Sequence, residues 1–199
     1  MNKRNLLLGA MASVAASLPG PSSAKRHHNV LVGPTLLTVS GRIGSGNRGP
    51  LDPALDQLMV KQGLAFKVAH AFDFAALSAL PSVSINPTLE YDRKRHTLSG
   101  PLLSDVLAAA GAKIDSTTTC QIRAIDGYAV VLRGAELIER RFVVATHLDG
   151  QPMGLGGLGP CWVVFDADRF SDVARKPLNE RFALCPWATY HIEVKIAAE

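Results

Sequence analysis

The sequence predicts an α+β domain with mixed, mainly antiparallel sheets and a few short helices. Three observations point there. Helical apolar spacing is concentrated in the first half of the chain, apolar strand-like runs fill the second, and two Asp-Gly pairs lie between such runs as hairpin turns. Helices early and strands late argue against alternating βαβ units. The 199 residues suit one domain with a full hydrophobic core, and no internal repeat or low-complexity segment interrupts them.

In chain order, residues 1–24 read as an export signal. Lys3 and Arg4 supply charge, Leu6 to Leu18 an apolar run, and Ser22, Ser23 and Ala24 the small residues that precede cleavage. Lys3 to Leu7 resembles a twin-arginine signal with lysine in the first place. The apolar run is too short, and too broken by Pro19, Gly20 and Pro21, to span a membrane. Residues 25–35 form a polar leader. The domain proper covers residues 36–196 and opens with a strand over Leu36 to Ile43 and a loop over Gly44 to Pro50. Asp52 and Pro53 then cap a helix carrying Leu55, Leu58 and Met59 and stopped by Gly63. A second, shorter helix has Asp73 as its cap and Pro81 as its end.

Val83 to Tyr91 is extended, and Asp92 to His96 makes a charged turn. Leu102, Leu103, Val106, Leu107 and Ala110 fall on one helical face, and Gly111 stops that helix in the left-handed conformation. Strands follow at Cys120 to Ile125 and Tyr128 to Leu132 around Asp126-Gly127, and at Phe142 to Leu148 before Asp149-Gly150. Cys161 to Phe165 and Tyr190 to Ile196 complete the set.

Composition excludes several functions. Loss of Lys3 and Arg4 with the signal leaves 19 basic against 17 acidic side chains, too even a balance for a nucleic-acid or membrane-surface protein. Cys120, Cys161 and Cys185 have no metal-ligand spacing and read as small buried side chains, although export would permit one disulfide. His70, His147 and His191 are isolated, and no Gly-x-Ser-x-Gly elbow is present. Gly154 to Gly159 matches the G-x-G-x-x-G dinucleotide pattern. However, a turn precedes it and Pro160 with a strand follows, where the fingerprint requires strand before and helix after.

An ordered set of motifs carries a resemblance. Thr38-Val-Ser-Gly41, Phe72 to Pro81, Gly100-Pro-Leu-Leu-Ser-Asp-Val-Leu-Ala-Ala-Ala-Gly111, Asp126-Gly-Tyr128, Asp149-Gly-Gln-Pro-Met153 and Gly159-Pro160 occur at plausible gaps. Together they resemble the sulfite-oxidase-type molybdopterin-binding domain, in particular short exported members without the molybdenum-ligating cysteine. The resemblance implies that single compact fold. In the catalytic branch, a cysteine before the Gly-x-x-Leu helix binds molybdenum through its thiolate. Here the stretch Val83 to Tyr91 has none, and Ser84 and Asn86 are not soft ligands for a redox metal. Cys120 or Cys161 would have to reach that site from elsewhere in the fold. Cys161 and Trp162 stand where an arginine would follow the Gly-Pro.

The candidate ligand-binding residues are Arg93, Arg95, His96, Asp126, Tyr128 and Trp162; none is assigned as catalytic or metal-binding. The Arg93 to His96 cluster could hold an anion or be a solvated turn. Tyr128 beside Asp126 could orient a ligand or pack its ring and wet its hydroxyl. The expectation is a periplasmic or secreted binding protein that is not a redox catalyst, taking a small anionic or pterin-like ligand or an envelope protein partner. The alternative is a molybdopterin-dependent oxidoreductase without a cysteine ligand to the metal. A purely structural module would instead lack a ligand-sized cleft at the hairpin mouths.

Overall fold

The computed structural model describes residues 31–196. The export signal and most of the polar leader therefore lie outside the described residues. In chain order the elements are β1 (Leu37–Gly41), α1 (Gln57–Lys61), β2 (Ala69–Phe72), α2 (Phe74–Ser78), β3 (Ser82–Ile85), β4 (Leu98–Pro101) and α3 (Leu103–Ala109). They continue with β5 (Thr118–Ala124), β6 (Ala129–Arg133), α4 (Gly134–Arg140), β7 (Val143–Ala145), β8 (His147–Leu148), β9 (Gln151–Pro152), β10 (Trp162–Val164), α5 (Ser171–Ala174) and β11 (Thr189–Ile196). This is the mixed, mainly antiparallel α+β architecture expected. Among the described residues no helix is long and apolar enough to cross a membrane.

Five strands in the order β2-β1-β11-β5-β6 form the main sheet, in which only β1 and β11 run parallel. Register sorts its two faces. Val39, Ile192, Ile122 and Val130 stand in one row across β1, β11, β5 and β6, and all are buried in the core. Thr38, His191 and Arg123 form a row on the opposite face. Each of these three keeps a buried polar atom without a hydrogen-bond partner. A four-stranded sheet, β3-β4-β8-β9, and the β7–β10 pair close over the core side.

Local chemistry explains what matched. Asp73 caps α2 through the Ala76 N–H (2.7 Å) and also accepts the N–H groups of Val32 and Gly33. These bonds hold its carboxyl below the usual carboxylate range. α3 buries Leu103, Val106 and Leu107, and Gly111 follows it at φ +80°. Asp149 and Gly150 both have positive φ (+48° and +80°) and join β8 to β9 as a two-residue turn. Gly154 to Gly159 leads into β10, so no helix follows it.

Four expectations are corrected. The helix expected from Pro53 starts only at Gln57, because Asp52 caps a turn at Ala54 and Leu55, while Leu55 is 82% exposed and nothing in α1 is buried. So short a helix without a packed face does not extend. Around Asp126-Gly127 only the glycine has positive φ, and the Ala124 N–H donates to the Tyr128 carbonyl (2.8 Å). The loop is thus three residues, 125–127, ending in a glycine bulge. The run Phe142 to Leu148 divides into β7 and β8 as the chain turns from β10 to β4. Finally, α4 was missed.

Arg140 at the end of α4 donates from Nε to Glu136 (3.2 Å) and from Nη2 to Asp172 (2.8 Å), and its guanidinium lies 5.3 Å from the ring centroids of both Phe165 and Phe170. Arg140→Ala is expected to lower stability by about 2 kcal/mol in urea denaturation, chiefly through lost packing and cation–π contact. Arg140→Lys should recover less than half, because lysine lacks the planar fork. Full rescue by lysine would contradict this account.

Candidate functional site

A pocket of about 260 Å³ opens at the mouth of the β5–β6 hairpin. Three segments build it: Glu90 and Tyr91 from the β3–β4 connection, Ala124, Asp126 and Tyr128 from the hairpin, and Asn179 to Trp187 from the approach to β11. Tyr91, Tyr128 and Trp187 are 58%, 49% and 39% exposed. The hollow is thus lined by large aromatic side chains that the core does not cover.

The walls are tied to the scaffold. Tyr128 donates its phenol hydrogen to the Ala183 carbonyl (2.7 Å), and Asp126 accepts the Tyr128 N–H (2.8 Å). Ile125 donates its N–H to the Ala188 carbonyl, and Thr189 Oγ1 donates to that of Pro186. Burial pushes the Tyr91 phenol up to about 12, and the neighbouring Glu90 carboxylate adds to the shift. Tyr91 therefore keeps its proton at neutral pH.

Of the six candidate residues, the structure brings only Asp126 and Tyr128 together in this pocket. Trp162 is a correction: it is 1% exposed, packs on Phe182 and donates its indole N–H to the Cys185 carbonyl (2.9 Å). It supports the pocket wall from the core. Arg93, Arg95 and His96 lie farther along the β3–β4 connection and do not line the pocket. Arg93 and Arg95 are exposed, and Arg95 Nε donates to the Asn86 carbonyl.

His96 as an anion ligand is likewise corrected. Its Nδ1 lies 2.7 Å from Asp149 and its Nε2 2.9 Å from Asp92, so both ring nitrogens are engaged by carboxylates. Those two carboxylates, Asp149 first, raise its pKa. The cluster ties the β3–β4 connection to the β8–β9 turn and presents mixed charge, not a basic cradle. Glu90, Tyr91, Asn179 and Trp187 were not among the sequence candidates. The signal for the first two was their place at the end of the cysteine-less stretch.

The residues present do not fit a molybdenum centre. All three cysteines are free and buried. Burial pushes the Cys120 and Cys161 thiols up to about 12 and raises Cys185 as well, and with exposures of 0%, 0% and 3% none of the three is presented to a metal in an open site. Cys185 lines the pocket yet is 3% exposed. Among the described residues no group of three His, Cys, Asp or Glu side chains could hold a metal ion. Among the described residues no Lys or Arg lines the pocket of Tyr91 and Tyr128; Arg140, Arg141 and Arg169 instead line a second hollow of about 250 Å³ with Ser84, where no cysteine stands to ligate a metal.

No protein-family model matches the sequence, and no curated protein matches it. Among solved structures the chain is similar to the sulfane dehydrogenase SoxCD from Paracoccus pantotrophus, with a TM-score of 0.51 and 10% identity. The likeness covers 79% of this chain and 37% of that one. At that identity it is a likeness of fold alone.

Proposed function

We propose that this chain is an exported binding protein on a sulfite-oxidase-like scaffold, taking a small ligand in the pocket of Tyr91, Tyr128 and Trp187 without redox catalysis. The observation that supports the reading is the pocket itself. Three half-exposed aromatic rings line a hollow whose walls are fixed by hydrogen bonds, beside one thiol, Cys185, that burial keeps protonated.

Two measurements test it. Full chain made in a host that produces molybdenum cofactor is expected to purify without stoichiometric molybdenum; a metal-to-chain ratio near one with bound pterin would sink the non-redox part. A fragment library screened by ligand-observed NMR is expected to yield hits that weaken at least about tenfold in Tyr128→Ala, as for loss of a central aromatic contact. A screen with no hit on the wild-type chain, in which the protein instead captures an envelope protein, would overturn the small-ligand reading.

A further inference from the structure

The ionisable side chains lining the pocket share one sign. Glu90 and Asp126 are carboxylates, the remaining ionisable groups are the two phenols and the Cys185 thiol, and among the described residues no Lys, Arg or His lines it. That contrasts with a chain whose formal charge is +4. Among the described residues neither Glu90 nor Asp126 takes part in a salt bridge, and Asp126 has one oxygen on the Tyr128 N–H. Arg181, next in sequence to the lining residue Phe182, is committed elsewhere. Its Nη1 donates to Asp168, its Nη2 to the Ala174 carbonyl and its Nε to the Lys176 carbonyl.

We infer that the pocket takes a small organic cation, an ammonium group bearing methyl or short alkyl substituents, held between the aromatic rings and the Glu90 and Asp126 carboxylates. Aromatic faces attract a weakly hydrated cation through their quadrupoles, and they do so more strongly where water is partly excluded. Two carboxylates that form no salt bridge among the described residues supply the long-range part of the same preference. The volume, about 260 Å³, lies below that typical of drug-sized ligands, which suits a compact ammonium compound. An anion would meet both carboxylates with no compensating cation, so the anionic ligand expected from the Arg93 to His96 cluster is not the class this pocket selects.

The inference rests on the binding reading above, and the test separates the two. Full-length chain is titrated calorimetrically with tetramethylammonium, choline and benzyltrimethylammonium, with 3,3-dimethylbutan-1-ol as the neutral isostere of choline, and with inorganic phosphate. At least one ammonium compound is expected to bind, choline at least about tenfold tighter than its isostere, and phosphate not at all. Glu90→Gln and Asp126→Asn each keep shape and an acceptor oxygen. Either should weaken ammonium binding about fivefold to tenfold and leave the isostere unchanged, with circular dichroism confirming that both variants fold. Equal binding of choline and isostere, or binding of phosphate, would overturn the ligand class while leaving a binding pocket in place. Neutral fragments that bind in a Tyr128-dependent way when no ammonium compound does would overturn it equally. Absence of any ligand in both the titrations and the fragment screen would overturn the binding reading itself.

Discussion

Gly100→Ala is expected to cost about 4 kcal/mol or more, enough to leave the chain largely unfolded at 25 °C. Gly100 lies within β4, and a Cβ placed there would stand 2.1 Å from the Val144 carbonyl oxygen and 3.1 Å from the Ala145 Cα. Both obstacles are backbone of β7 and cannot rotate aside. Making room means moving β4 away from β7, which breaks the Thr146 N–H bond to the Ser99 carbonyl (2.9 Å) and the Leu103 N–H bond to that of Phe142 (2.8 Å). The second of these seats the first turn of α3. Gly49→Ala is the matched control, since nothing lies within 4 Å of its added methyl, and it should stay within about 0.5 kcal/mol of wild type. Equal urea midpoints for Gly100→Ala and Gly49→Ala would refute the close-approach argument.

Acid should weaken the fold through His191. The ring is 1% exposed, its Nε2 lies 2.9 Å from Ser40 Oγ, and its Nδ1 has no partner. Burial first, then the charges of Arg123, Arg48 and Lys195, hold its pKa at about 4 against 6.5 for a free histidine. In the unfolded chain the ring takes up a proton as pH falls through 6.5, whereas in the native state it does so only near 4. The unfolded state therefore binds more protons between these values, and stability falls with pH across that window. The loss amounts to about 2 kcal/mol between pH 7 and 5, and about 3 kcal/mol once pH is below 4. Urea denaturation at pH 7 and pH 5 should show this slope in wild type and a shallower one in His191→Gln. Parallel slopes would remove His191 as the cause.

Much of the scaffold was legible because its determinants are local. The Asp73 cap, the Leu103–Val106–Leu107 face closed by Gly111 and the Asp149-Gly150 turn each specify their geometry within a few residues. Elements whose existence depends on distant packing were not. α4 packs its Arg140 on Phe165 and Phe170, 25 and 30 residues further along the chain, and the helix expected from Pro53 lost its first turn because Leu55 and Leu58 found no neighbours to bury them. The site divided in the same way. Asp126 and Tyr128 lie in one hairpin and could be named together, but Glu90, Asn179 and Trp187 join them only once the fold is closed. Of the two tryptophans, the sequence candidate was Trp162, whereas Trp187 lines the pocket. Trp162 sits in a strand that is apolar throughout, the mark of burial on both faces, whereas Trp187 follows a proline in an irregular segment and stays half-exposed.

The parallel pairing of β1 with β11 makes closure of the main sheet depend on the two ends of the domain. The two central strands of the main sheet lie about 150 residues apart, as the Thr38–His191 partnership shows. The β1–β2 pair and the β5–β6 hairpin each leave an open edge that only Thr189 to Ile196, lying between them, covers. The strand carrying His191 thus acts as the keystone. Without it, the apolar row through Val39 and Ile122 is split into two unsealed halves, so closure of the sheet depends on the most sequence-distant contacts in the domain.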